Sequence, residues 1–206
     1  MAGRSAHFLD WLTHTLMMTR SLLLTLALLV SLSTSSLRAA NPFEALPDGG
    51  IRHTFSGFIF PKSIGDFERI STKQFNDEGS DVSAGYNAGP VVATVYAYPA
   101  PADASPEAFA REWDSKRSEV FQGHQGVVAV SDTAATVTQG GKQFAGRRAV
   151  FSFRDSFQGA RRDLKSQLLV FRDGPVFIEY RITYPLDDAE AAEKQIELLI
   201  REWSWR

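Results

Sequence analysis

The segment LKSQLLVFRDGPVFIEYRITYP, Leu164 to Pro185, holds two runs of β-branched and aromatic residues separated by Asp173-Gly174, with Pro175 just beyond. Asp-Gly between two such runs is a strong hairpin signal, because glycine accepts the positive φ of a tight turn matched to strand twist. With Asp173-Gly174 as the turn, Phe171 faces Val176, Val170 faces Phe177 and Leu168 faces Glu179. Moving one strand outward, FAGRRAVFSF at 144–153 continues as a long strand through Arg154. A hairpin turning about Phe157 and Gln158 then sets Arg147 opposite Leu168.

That register places Arg147, Leu168 and Glu179 in one row across three strands, with Arg181 one step further on the same face. The face is otherwise Phe151, Phe153, Leu164, Val170 and Phe177. Charges on an apolar sheet face need partners. Arg147, Glu179 and Arg181 are therefore the candidate binding residues, read either as a structural ion pair at the rim of the core or as a polar ligand site. Arg148, Arg154, Arg161 and Arg162, with Asp155 and Asp163 beside them, read as a solvated charged edge.

Further outward the order repeats. Strand-forming runs at Phe55–Phe60, Phe67–Phe75, Val82–Asn87 and Val91–Tyr98 precede a helix announced by Ser105 as N-cap and Pro106 at the first helical position. Phe109, Trp113, Lys116 and Val120 follow at helical spacing, Lys116 being the one polar interruption, and the helix stops near Gly123. Val127–Thr138 opens the second strand set. After Tyr184, Asp187 reads as an N-cap with Glu190 completing a capping box, and Ala192, Ile196, Leu199, Ile200 and Trp203 make the apolar stripe of a closing helix. Four strands, helix, four strands, helix predicts an α+β fold, an antiparallel β-sheet covered by helices. Residues 51–206 form this single domain and residues 41–50, with two prolines and a Gly pair, a tether. Trp203 is expected in the core, and Trp205, near the terminus, is expected to matter less.

The stretches FAGRRAVFSF, LKSQLLVFRDGPVFIEYRITYP and AEAAEKQIELLIREWSW (189–205) resemble the closing half of the PsbP-like and DcrB-like α/β sandwich families. The resemblance runs over roughly residues 51 to 206 as a pattern. It implies a central antiparallel sheet between helices and a chain that ends in a helix. It transfers no functional residue position by position, and these families span accessory subunits, binding proteins and other exported proteins, so function is left to the residues themselves.

Near the start, Ser21 to Leu32 reads SLLLTLALLVSL after Arg20 and gives way to STSSLRAA. Basic, apolar and small-residue regions in that order are a secretory signal, so residues 1–40 are expected to be the signal region, with cleavage after Ala39 preferred. The overlong region before the apolar run suggests a start at Met17 or Met18. A permanent span wants about 20 apolar residues, more than this run supplies. The alternative is an uncleaved anchor that holds the domain on the inner membrane. Periplasmic or secreted localisation is the expectation, with membrane contact only through this segment.

Composition narrows the function. The 206 residues carry a formal charge of −2, and without residues 1–40 there remain 19 basic against 23 acidic residues, a balance that gives no reason to expect nucleic acid as a partner. There is no Cys, which excludes disulfides, thiolate metal sites and a cysteine nucleophile. No cofactor motif is present. His53 and His124, the histidines left after processing, read as surface or loop residues. Asn76-Asp77-Glu78-Gly79-Ser80-Asp81 lacks the alternating ligands and terminal Glu of a calcium loop and reads as a solvated hairpin turn. No Ser lies in a Gly-x-Ser-x-Gly elbow. The leading reading is a non-catalytic exported domain that binds an envelope partner protein or a small ligand. The competing class is an envelope hydrolase with a site of scattered Asp, Glu and Arg residues.

Overall fold

The computed structural model describes residues 41–206. The signal segment, its cleavage site and the start at Met17 or Met18 lie outside the described residues. Among the described residues no helix is long and apolar enough to cross a membrane.

Strands β1 (Phe43–Ala45), β2 (Ile51–His53) and β3 (Ile59–Phe60) make a three-stranded antiparallel sheet. β4 (Ser63–Ile64), β5 (Phe67–Gln74), β6 (Val82–Ala88) and β7 (Val91–Pro99) lead to α1 (Pro106–Gly123). β8 (Val128–Gln139), β9 (Lys142–Phe157), β10 (Ala160–Asp173) and β11 (Val176–Pro185) follow, then a 3-10 turn (Leu186–Asp188) and α2 (Ala189–Glu202). The large antiparallel sheet has eight strands in the order β4-β5-β6-β7-β11-β10-β9-β8. Phe43–Ala45, inside the stretch read as a tether, pairs with Ile51–His53, so those residues belong to the small sheet.

The fold class read from the sequence, a sheet covered by helices, is corrected by this architecture. The described chain is mostly β, 52% strand, with two α-helices. The reason is dimensional. Eight strands at ~4.8 Å spacing span roughly 34 Å, and one helix is about 10 Å across, so a single helix roofs two or three strands. On one face, α2 shares the covering with the small sheet, where Phe58, Phe60, Ile196, Leu199, Trp203, Tyr86 and Tyr180 make one apolar cluster. On the other face, Trp113 and Val120 of α1 pack on Phe151, Phe153, Leu168, Val170 and Phe177.

Local signals worked unevenly. The Ser105 hydroxyl accepts from Ala108 N at 3.1 Å, as its N-cap position requires. The capping box at the second helix is absent: Asp187 lies inside the 3-10 turn, and Asp188, the N-cap of α2, makes no side-chain cap bond. The Ala189 N–H bonds instead to the Leu186 carbonyl, so the backbone satisfies that donor itself. Trp205 is not marginal; it is 2% exposed and donates from Nε1 to the Tyr180 hydroxyl at 2.8 Å. His53 is fully buried rather than a surface residue. Its Nε2 is 2.7 Å from the Gly79 carbonyl, which can only accept, so Nε2 carries the hydrogen. Nδ1 then accepts from Ser56 Oγ at 2.7 Å.

Both hairpin turns sit one residue later than read from the sequence. Val170 faces Glu179 and Phe171 faces Ile178, so the loop is Gly174-Pro175, with Gly174 at φ 60°. Proline's fixed negative φ and missing N–H suit the second loop position better than a ladder position. The other loop is Gln158-Gly159, φ 49° and 83°, and it sets Arg147 opposite Val170 rather than Leu168.

Candidate functional site

On the α1 face, β11 carries two charges among apolar residues, Glu179 and Arg181. Alternation along the strand puts both on one face, and β7 brings Tyr96 opposite Glu179 and Tyr98 opposite Phe177. α1 supplies Glu112, Lys116 and Glu119 at spacings of four and three, one stripe turned onto the same patch. Phe75 and Asp81 close the rim, and the lining encloses about 230 Å³.

Glu179 is 1% exposed, a carboxylate at the floor of an otherwise apolar face. Arg181 Nε donates to its Oε1, Lys116 Nζ stands 3.9 Å from Oε2, and the Tyr98 hydroxyl is 3.2 Å away. Tyr98 gives its one hydroxyl hydrogen to the nearer carboxylate, Glu112 Oε1 at 2.9 Å. Arg181 reaches Glu119 through Nη2, and Lys116 reaches Glu119 at 3.0 Å and Glu112 at 3.8 Å. The two cations lie over aromatic rings, Lys116 over Tyr98 at 4.9 Å and Arg181 over Tyr96 at 5.5 Å.

Burial pushes the Glu179 carboxyl up, against the pull of Arg181 and Lys116. Burial pulls Lys116 and Arg181 down, but the Glu179 and Glu119 carboxylates outweigh it and both cations are held above their ordinary values. Burial raises Glu119, and the bonds from Arg181 and Lys116 more than reverse this. Tyr98 is pushed far up by burial and by the Glu179 and Glu112 carboxylates, so it stays a donor. Asp81 is raised by burial, and its side-chain carboxyl makes no hydrogen bond or ion pair among the described residues.

Of the three residues singled out from the sequence, Glu179 and Arg181 meet here and Arg147 does not. Arg147 Nη2 bonds Asp132 Oδ1 at 2.7 Å and its guanidinium stacks 4.9 Å over the Trp113 ring. Asp132 also accepts from Trp113 Nε1 at 3.2 Å, which ties α1 to β8. The sequence reading left out Tyr96, Tyr98, Asp81, Glu112 and Glu119. Their signal was Lys116, a lone cation in an apolar helical stripe, set against Glu179, a lone anion on an apolar strand face.

The other candidates are local. His124 stacks on Phe153 at 4.1 Å and pairs through Nδ1 with Asp155 at 2.8 Å. In the 76–81 turn, Asn76 Oδ1 accepts from the backbone of Ser80 and Asp81, at 3.0 and 3.2 Å. Among the described residues no group of three or more His, Asp or Glu is placed to hold a metal ion.

No protein-family model matches the chain, and no curated protein matches it. Solved structures of similar shape include a PsbP. This is cyanobacterial CyanoP of Synechocystis, at TM-score 0.42 and 10% identity over 77% of this chain and 87% of that one. A Pseudomonas aeruginosa protein of unknown function matches at TM-score 0.43 and 13% identity, covering 80% and 96%. The Saccharomyces cerevisiae Ran-binding protein Mog1p matches at TM-score 0.32 and 9% identity, covering 66% and 85%. The likeness to PsbP is weak at this level of similarity.

Proposed function

We propose that this protein is an exported, non-catalytic binding domain whose Glu179-centred pocket accepts a small positively charged group, presented by a free amine or by a basic side chain of an envelope partner. The observation that carries the reading is the Asp81 carboxylate, which lines the pocket without a side-chain partner among the described residues. Asp81, Glu119 and Glu179 line the pocket with Lys116 and Arg181, while Glu112 stands behind Lys116 and Lys73 lies over Phe75 at the rim. Asp81 at the rim makes no side-chain hydrogen bond or ion pair among the described residues and is the carboxylate left to receive a donor. A volume of about 230 Å³ suits an alkylammonium or a single side chain rather than a larger ligand. The rim rings Phe75 and Tyr96, with centroids 5.9 Å apart, already carry Lys73 and Arg181 over their faces, so the apolar ring edges are what they offer a ligand's alkyl chain.

Export is supported by the basic, apolar and small-residue order around Ser21–Leu32. Isothermal titration with small primary amines and with the matching carboxylates tests the binding reading. Amines bind, carboxylates do not, and Asp81→Asn weakens the amine; equal heats for both ligand classes refute it. The intact mass of protein from the periplasmic fraction tests export, with a chain beginning near Ala40 expected.

A further inference from the structure

β8 is the last strand of the large sheet, and one flank of its backbone has no neighbouring strand among the described residues. Edge strands normally carry Lys, Pro or inward charges, or are kept very short, to block addition of another strand. The opposite edge follows that rule, since β4 is two residues long and β5 beyond it carries Arg69 and Lys73. β8 does not: Val128–Gln139 contains no Lys, Arg or Pro, and Asp132, its one charge, is already held by Arg147 and Trp113. A bulge between Ala129 and Ser131 twists the first residues away and leaves Asp132–Gln139 regularly paired to β9.

Beside this edge, on the α2 face, runs a groove of about 460 Å³. Its floor is Leu169 and Phe171, one wall is Ile200 and Glu197 of α2, and the other is the β8 segment itself. Gly146 belongs to the same construction, because a Cβ there would meet Phe171 Cδ1 at 2.4 Å and the Val170 carbonyl at 2.3 Å; without one, the Phe171 ring lies close over β9. Arg148 stands in the row of Thr133 and Leu169 and lines the groove. Arg147 is paired with Asp132 and Arg154 with Asp163, but Arg148 has no such partner among the described residues, and its Nε is buried without a hydrogen bond. Glu193 lies further off, engaged by Lys165 and Tyr184. Arg201 bonds its neighbour Glu202 at 3.3 Å.

We propose that the β8–α2 groove binds an extended peptide segment of a partner protein, which adds to β8 as a further strand and sets a carboxylate on Arg148. Main-chain pairing to the edge supplies affinity, and pockets for alternate side chains supply selectivity, the mode of strand addition. Side chains of the added strand stand beside Thr133, Ala135 and Val137 on this face of β8, and a long carboxylate side chain reaches over Thr133 toward Arg148 on the next strand. An unpaired buried donor gains most from an ionised acceptor. Glu197 repels a carboxylate from the helix wall and leaves Arg148 as its station. This site lies on the opposite face of the sheet from Glu179 and does not depend on that pocket.

The test is fluorescence anisotropy of the purified protein with a labelled peptide alternating valine and threonine around one central glutamate, against the same peptide with glutamine there. The glutamate peptide is expected to bind about tenfold tighter, the step that a charge-assisted hydrogen bond of about 1.4 kcal/mol provides. Arg148→Gln removes that difference while Arg148→Lys keeps part of it, both variants showing wild-type circular dichroism. Thr136→Pro, which takes a main-chain donor from the exposed strand, weakens both peptides. Failure of either peptide to bind, or equal affinity of the two for the wild type, overturns the proposal. So does sedimentation showing a dimer that Thr136→Pro separates, since a second copy would then own the edge.

Discussion

Arg147 and Glu179 stand in one row across β9, β10 and β11 with Val170 between them, and they do not pair. Two strand spacings, about 10 Å, separate them. Arg147 turns the other way, to Asp132 on the edge strand. A double-mutant cycle on denaturant stability with Arg147→Ala and Glu179→Ala is therefore expected to be additive to within about 0.5 kcal/mol. The cycle of Arg147→Ala with Asp132→Ala is expected to show coupling. Coupling in the first cycle and none in the second would contradict the observed pairing.

Asp173-Gly174 and Phe157-Gln158 look like turn pairs, which sets each hairpin one residue early in the sequence, whereas the chain puts positive φ at Gly174 and at both Gln158 and Gly159. Each error moves the pairing by two residues, which preserves the face. In both hairpins the shared partner changes from Leu168 to Val170, so the errors cancel and Arg147 and Glu179 stay aligned. What strand periodicity cannot encode is which neighbour an arginine reaches, since Asp132 lies on a strand whose pairing depends on a bulge. The fold shows the same division. The seven long or medium strands, β5 to β11, were legible from periodicity and turns, whereas the run Phe55–Phe60 forms only the two-residue strand Ile59–Phe60 of the small sheet. Helical cover was not, because it depends on sheet width, and the three short strands of the small sheet carry too few residues for a pattern.

Trp205→Ala is expected to destabilise the protein by about 3–5 kcal/mol, in the same range as Trp203→Ala. Trp205 packs against Phe144 at 4.8 Å between ring centroids and bonds Tyr180, while Trp203 donates to the Ile59 carbonyl at 2.9 Å. Thermal melting checks this; a Trp205→Ala protein with the wild-type midpoint would show that the chain end does not seal the core.

His53 makes stability depend on acidity in a defined direction. Burial lowers its pKa, against the Gly79 carbonyl bond and Asp81, so the folded protein keeps the ring neutral where the unfolded chain protonates it. The unfolded state thus binds more protons below the ordinary value of 6.5, and stability falls as pH drops through that value toward the depressed folded one. Denaturant midpoints between pH 7 and pH 5 for wild type and His53→Gln check this. The variant, though less stable, is expected to lose less of its stability on acidification, and an equal or larger loss would contradict the buried neutral ring.

The Glu179 pocket is tested most directly by amide chemical shifts of the isotope-labelled protein during titration with n-butylamine at neutral pH, where the ligand is a cation. Saturable shifts confined to Phe75, Asp81, Tyr96, Lys116 and Glu179 are expected, with no comparable change on titration with butyrate and a weaker response in Asp81→Asn. Shifts scattered over the surface, or the same response to butyrate, would contradict a pocket built to receive a positive charge.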